Sequence, residues 1–339
     1  TESVESALKM ARQYHTNRGD HQRVKHIARQ GSYHGMSMAT FSLTSPVWVD
    51  REPFEPQMKD NVFIVPHPLL YRDEFGSATQ EECDIKCAEA IEQVMLKEGP
   101  ETFSAVIAEP VSHSVGVGVP TPTYWKMLRE ICDRHGVVLI ADEVITGYGR
   151  TGKMFGMDHF GVTPDITATA KGLTSGYFPM GAVMARDHIY DGFKGGFKEA
   201  FVHGFTYSGH PAGAAAALTN IGIMEREGLV ENSAAMGKYM LDSMMTLKEH
   251  PTVGDVRGLG LLCAVDLVAD KNTKEPLALV HPTAEVTVRK KMYELGVLAR
   301  VVRGFVFSPP LTVTKNDVDQ MLDAADQAIG HMEKELSLD

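Results

Sequence analysis

The stretch VVLIADEVITGYGRTGKMFGMDHFGVTPDITATAK, residues 137–171, decides how this chain is read. It opens on an uninterrupted apolar run at 137–141 that delivers the acidic pair Asp142-Glu143. A glycine-rich turn, Gly147-Tyr148-Gly149-Arg150-Thr151-Gly152, comes next, and a second extended segment from Asp165 ends on Lys171. Alternation along a strand turns Glu143 away from Asp142, which gives it a structural role. An acid at the carboxyl end of one strand and a lysine at the end of a neighbouring one form either an ion pair or a site.

Working upstream, the pattern predicts a helix at 123–135 closed by Gly136, and before it an apolar strand at 103–108 running into Glu109-Pro110. Strand, helix, strand in this order is the right-handed parallel crossover unit. Strands apolar on both faces imply a sheet covered on both sides, so the fold class is α/β with a mostly parallel central sheet. A further helix is read at 79–98, where Thr79 and Glu82 make a capping box. At the start of the chain, Val4, Ala7, Leu8, Ala11 and Tyr14 recur at helical spacing, with Thr1 as N-cap. A core helix this close to the first residue suggests that further sequence precedes it. Downstream of Lys171 come a strand at 181–185, the segment HGFTYSGHP at 203–211 and an alanine-rich helix. From about residue 229 the texture changes to a smaller α+β arrangement. The expected division is therefore 1–228 and 229–339.

Composition narrows the function classes. The chain has 339 residues, more than one core usually serves, which agrees with two domains. Its formal net charge of -11 argues against a nucleic-acid or anionic-membrane surface. No apolar run is long enough for a membrane span and no signal peptide is visible. Cys83 and Cys87 have clip-like spacing but no second Cys/His pair, so core or surface thiols are preferred over a metal site. Such cysteine usage fits a reducing cytoplasm.

Open parallel sheets bind ligands beyond the carboxyl ends of their strands, where Glu109, Asp142 and Lys171 converge in this reading. A lysine amine beside a carboxylate suits carbonyl chemistry through a Schiff base. Pyridoxal phosphate would need a carboxylate for its ring nitrogen, a lysine for its aldehyde and a helix N-terminus for its phosphate. Asp142, Lys171 and the helix starting at Thr1 supply one of each, although composition alone does not single out this cofactor.

The segments LIADEVITGYGRTG and DITATAKGLTSGYFPMGAV, with Asp142 and Lys171 29 positions apart, resemble the class III aminotransferases of pyridoxal-phosphate fold type I. HGFTYSGHPAGAAAAL, AEPV and TESVESALKMAR match further family segments in the same order, so the resemblance spans the chain. It implies a transaminase working by a ping-pong cycle, from an amine or ω-amino acid donor to a keto acid such as pyruvate. Lys171 would be the Schiff-base lysine and the base of the proton shift, and Asp142 the partner of the ring nitrogen. Val144 and Tyr33 would flank the ring, with His34 supporting Tyr33 or only filling its loop. Thr1 would fall in the phosphate cup. Phe205 and Thr206 would reach the phosphate from the neighbouring subunit of a homodimer. Glu109 would assist Asp142 or a substrate-binding arginine. Arg300 would bind the carboxylate of an acid substrate, against the alternative of a solvated surface charge. No protein-bound metal is expected.

Two departures from the family pattern stand out. Sequence normally found before Thr1 is absent, and Ser112-His113-Ser114 replaces a Gln-Gly pair near the cofactor. Same-fold alternatives are an aminomutase, a decarboxylase or an epimerase; outside enzymology the rival is a non-catalytic dimeric paralogue. A dinucleotide-binding dehydrogenase is disfavoured, because no GxGxxG opens a helix after a strand.

Overall fold

A computed structural model describes residues 1–46, 49–57 and 61–338 and divides them into two compact units. The first holds Thr1–Val115, Pro120–Tyr148 and Phe155–Arg226; the second holds Gly116–Val119, Gly149–Met154 and Glu227–Asp339 as far as they are described.

In the first unit the chain runs α1 (Glu2–Asn17), β1 (Lys25–Arg29), α2 (Met38–Ser42), β2 (Val62–Val65), α3 (Gln80–Glu98), β3 (Phe103–Ala108), α4 (Pro122–His135), β4 (Val138–Asp142), β5 (Ile166–Thr169), β6 (Ala182–Ala185), α5 (Asp187–Asp191) and α6 (Pro211–Arg226). The strands form one sheet in the order β2-β1-β3-β4-β5-β6. All neighbours are parallel except β5 and β6, which are antiparallel. Every residue of β3 and β4 is buried, as expected of central strands covered on both faces. The apolar stripe of α1 is buried against this sheet, joining Val4, Ala7, Leu8 and Ala11 to Ala105, Ile107, Ile140 and Ile166 in one core. Helix α4 begins with Pro122 at its first turn and stops at Gly136, whose φ of 64° is left-handed, so the chain re-enters the sheet within two residues.

The second unit contains α7 (Leu229–Met244), β7 (Val253–Gly258), β8 (Cys263–Asp270), β9 (Glu275–Pro276), α8 (Leu277–Val280), α9 (Ala284–Glu294), β10 (Arg300–Val301), β11 (Gly304–Phe307) and α10 (Lys315–Leu336). Its sheet runs β10-β11-β8-β7, antiparallel throughout, with β9 paired to β8. Phe305, Val265, Met240 and Ile329 belong to its core. Arg150, from the glycine-rich turn, is structural here: it donates to the carbonyls of Leu261 at 3.1 Å and Pro309 at 2.5 Å. No helix among the described residues is long and apolar enough to cross a membrane.

Candidate active site

Register brings the predicted residues together. Ala108 is paired with Ala141, and Asp142 with Ala168. Glu109, Asp142 and Lys171 therefore leave three adjacent strands, β3, β4 and β5, at the same edge. They line one cavity of about 200 Å3, shared with Thr1, Tyr33, His34 and Val144.

Asp142 is buried, and each of its oxygens accepts one hydrogen bond. Oδ1 takes the Val144 N–H at 3.1 Å and Oδ2 takes His34 Nδ1 at 2.8 Å. A carboxylate only accepts, so Nδ1 is the donor and the imidazole orients the acid. His34, read from sequence as supporting Tyr33 or filling the loop, bonds Asp142. An ionised carboxylate has room for further donors, so Asp142 retains acceptor capacity beside the cavity.

Glu109 lines the same cavity and is heavily bonded. Its carboxylate takes Arg29 Nη2 at 2.9 Å, the Ser32 hydroxyl at 2.7 Å, the Tyr33 N–H at 3.2 Å and the Ser112 hydroxyl at 3.1 Å. It thus organises the loop that carries Tyr33. Burial pushes its pKa up, but the charges of His34, Arg29 and His67 more than offset this and hold the carboxyl far below its usual range. Arg29 is the residue that sequence reading missed. It is 1 % exposed, donates also to the Glu109 carbonyl at 2.6 Å, and lies over the Tyr124 and Trp125 rings. The available signal was its place two residues after Ile27, on the same face of β1 as that buried residue.

Lys171 opens onto solvent through the cavity, yet surrounding protein lowers its pKa by burial against an opposing pull from Asp142. The neutral amine is therefore available at a lower pH than for a free lysine. Thr1 is the N-cap residue of α1 but makes no side-chain cap; its hydroxyl accepts the Met36 N–H at 3.2 Å. The helix's own ladder starts with the Glu5 N–H on the Thr1 carbonyl, so the N–H groups before it have no helical partner. Gly35 presses against this helix start: with φ at 133°, a Cβ there would lie 2.8 Å from Thr1 Oγ1 and 2.9 Å from Thr1 Cα. Glu143 is structural, as its position implied. Its carboxylate takes the N–H groups of Gly156 and Met157, both at 2.8 Å, and the Thr146 hydroxyl.

Three predicted residues lie elsewhere. Phe205 and Thr206 are exposed and line a separate depression of about 940 Å3 with Glu2, Ser3 and Phe178. Arg300 is an exposed residue of β10 in the second unit, paired with Val306. Of the departure Ser112-His113-Ser114, Ser112 turns onto Glu109 while His113 and Ser114 line the cavity. No cluster of metal-binding type occurs among the described residues.

An oriented carboxylate, a lysine with a depressed pKa, an aromatic ring and an open helix N-terminus around one cavity fit pyridoxal phosphate. Fold and site thus define a pyridoxal-phosphate enzyme of the α/β type. The family model for class-III aminotransferases matches residues 1–329, and the chain belongs to that family. It is 36% identical to the putrescine–pyruvate aminotransferase of Pseudomonas aeruginosa, covering 96% of this chain and 70% of that protein. It is 35% identical to a taurine–pyruvate aminotransferase of Bilophila wadsworthia, covering 100% and 75%. Among solved structures, an amine transaminase from an uncultivated Pseudomonas species in its PLP-bound form superposes with a TM-score of 0.92 at 38% identity, covering 97% of this chain and 74% of that one. The protein is a PLP-dependent aminotransferase, and amine donors and keto-acid acceptors are its substrate classes.

Proposed function

We propose that the chain moves an amino group from an amine or ω-amino acid to a keto acid such as pyruvate, with Lys171 as the residue that links the cofactor. The observation that carries this reading is the convergence of Lys171 and the His34-oriented Asp142 on one cavity. When bound, pyridoxal phosphate supplies an electron sink for the carbon that carries the amine. Asp142 keeps a proton on the ring nitrogen, and the Lys171 amine takes and returns the proton at the substrate carbon. Tyr33 and Val144 would flank the ring, and the start of α1 at Thr1 would hold the phosphate. Glu109 and His34 act on these groups from behind.

The separation of Phe205 and Thr206 from the Lys171 cavity within one chain supports a homodimer in which they serve the other subunit. Arg300 binds the acid substrate's carboxylate. Four buried free thiols, Cys83, Cys87, Cys132 and Cys263, support a cytoplasmic location.

The test is reconstitution with pyridoxal phosphate followed by stepwise addition of amine and then pyruvate. The wild type gains a yellow absorbance band, loses it to the amine and regains it with the acid, whereas Lys171→Ala shows no such band. Retention of the full band in Lys171→Ala overturns the reading. An Arg300→Ala variant unaffected in the keto-acid half removes Arg300 from it.

A further inference from the structure

Lys171 is held in a backbone conformation that a lysine does not adopt unaided. Its φ is 39°, in the left-handed region that costs a side chain with a Cβ and that persists only where surrounding structure imposes it. Relaxing to the ordinary right-handed region would redirect the Cα–Cβ bond and carry the amine away from the cavity. The local chain does little to prevent this. Lys171–Leu173 is a single turn of 3-10 helix, closed by Leu173 N–H on the Ala170 carbonyl at 2.9 Å and Thr174 N–H on the Lys171 carbonyl at 3.2 Å. The carbonyls of Gly172 and Leu173 that follow have no helix to receive them.

Two side chains from distant parts of the first unit close on this turn. On one side is Tyr148, from the glycine-rich segment. Its buried ring donates its hydroxyl to Thr169 Oγ1 at 3.2 Å, and a Cβ on Gly172 would lie 3.0 Å from the Tyr148 Cβ. On the other side is Asn220 of α6. Its amide nitrogen donates to the Gly172 carbonyl at 2.8 Å and to the Leu173 carbonyl at 3.1 Å, while its oxygen accepts the Ser175 hydroxyl at 2.8 Å. One planar amide therefore fixes both carbonyls that follow the lysine. Neither Tyr148 nor Asn220 lines the cavity.

We propose that Asn220 is a positioning residue for Lys171: by bonding the Gly172 and Leu173 carbonyls against the Tyr148 buttress, it holds the lysine backbone left-handed and the amine aimed into the cavity. This rests on Lys171 being the linking lysine. Asn220 does not line the cavity, and its bonds reach the lysine only through the backbone that follows it. It should therefore govern covalent capture of the aldehyde, in which C=O becomes C=N to Nζ and one water leaves, but not non-covalent occupation of the cavity.

The experiment uses the full chain freed of cofactor. The rate of covalent capture of pyridoxal phosphate is followed at the yellow band. Binding of pyridoxamine phosphate, which has no aldehyde to capture, is measured by titration. In Asn220→Ala, capture should slow by about tenfold or more, because misplacing a reacting group costs orders of magnitude in rate, while the pyridoxamine phosphate Kd stays within about threefold. Asn220→Asp, which sets a carboxylate oxygen against two carbonyls, should be slower still. Ser175→Ala, which removes only the other bond of Asn220, should capture at the wild-type rate. If Asn220→Asp does not fold, Asn220→Ser replaces it, with one donor instead of two and an intermediate rate expected. Wild-type capture in the Asn220 variants overturns the proposal; so does a parallel loss of pyridoxamine phosphate binding, which makes Asn220 a general structural residue. A Lys171→Ala arm separates the two readings. If that variant still captures the aldehyde, Lys171 is not the linking lysine. If only that variant loses capture, the linkage stands and the positioning role of Asn220 falls.

Discussion

His34 and His250 each stand between two carboxylates. His34 reaches Asp142 at 2.8 Å through Nδ1 and faces Glu109 at 3.9 Å through Nε2. His250 reaches Glu333 at 2.7 Å through Nδ1 and Asp326 at 3.1 Å through Nε2. The chemistry of the two groups is the same, and their consequences differ because of what else each acid meets. Asp142 opens on the cavity that Lys171 lines, and Glu109 is neutralised from behind by a buried arginine. Glu333 instead spends its other oxygen on the Thr252 N–H and hydroxyl, at 3.1 and 2.6 Å, and Asp326 is open to water. The first group leaves one acid able to accept from a ligand, whereas the second uses its bonds to tie α10 to the start of β7. A histidine between acids becomes a site only when one acid keeps an unfilled acceptor facing an enclosed space.

The sharpest way to break this contrast is to remove the charge that faces the cavity. Asp142→Asn keeps the size of the side chain but no longer stabilises a proton on the ring nitrogen. A loss of at least about 10^3-fold in the rate of the amine half-reaction is expected, roughly 4 kcal/mol of transition-state stabilisation. Stopped-flow absorbance measures it, and a loss below tenfold would mean that Asp142 is no more than a structural acid like Glu333.

Arg29→Met tests the other half of the site. It leaves Glu109 buried among the Ser32, Tyr33 and Ser112 donors without its guanidinium. Breaking a buried pair from one side costs about 3–5 kcal/mol, and the double variant with Glu109→Gln should recover part of that. Hydrogen exchange in β1 and β3 is the suitable measure, since a two-unit chain gives no single unfolding free energy. Unchanged protection would show that Ser32 and Ser112 suffice to hold Glu109.

His34→Ala should be milder, a loss of about 10- to 100-fold in the same half-reaction, by analogy with hydrogen-bond partners that orient the ligands of metal sites. His34→Asn returns an N–H near the position of Nδ1 and should restore part of the rate. If Asn and Ala behave alike, orientation of Asp142 is not what His34 provides.

These residues also mark what could be read before the fold was known. Continuous apolar runs, the cap at Gly136 and alternation along β4 placed Asp142 and Lys171 at strand ends and turned Glu143 away. Those are local properties, governed by a few neighbouring residues. The Arg29–Glu109 pair, the His34–Asp142 bond and the Asn220 clamp join positions 80, 108 and 48 residues apart, and depend on which elements meet in space. Nothing in the sequence next to Arg29 or Asn220 names Glu109 or the Gly172 and Leu173 carbonyls as their partners. Thr206 was legible only through its resemblance to a family segment, because nothing in its spacing ties it to the cavity lined by Lys171.

The smallest expected effect lies in the second unit and bears on pH. Burial lowers the pKa of His250, but its bonds to Glu333 and Asp326 more than offset this and the net shift is upward. A histidine with a raised folded-state pKa contributes stability that is fully present below its unfolded value of about 6.5 and is lost as pH rises through the folded value. Protection of α10 and of the start of β7 in hydrogen exchange should therefore weaken as the buffer is taken from about pH 6 to pH 8. His250→Gln should abolish that slope and cost about 1–2 kcal/mol of local stability at the acidic end, the worth of a hydrogen bond to a charged group. The amine half-reaction per folded molecule should be unchanged by it, in contrast to every His34 variant. A His250→Gln protein that loses transaminase rate while α10 remains protected would show that the second cluster does more than tie a helix down.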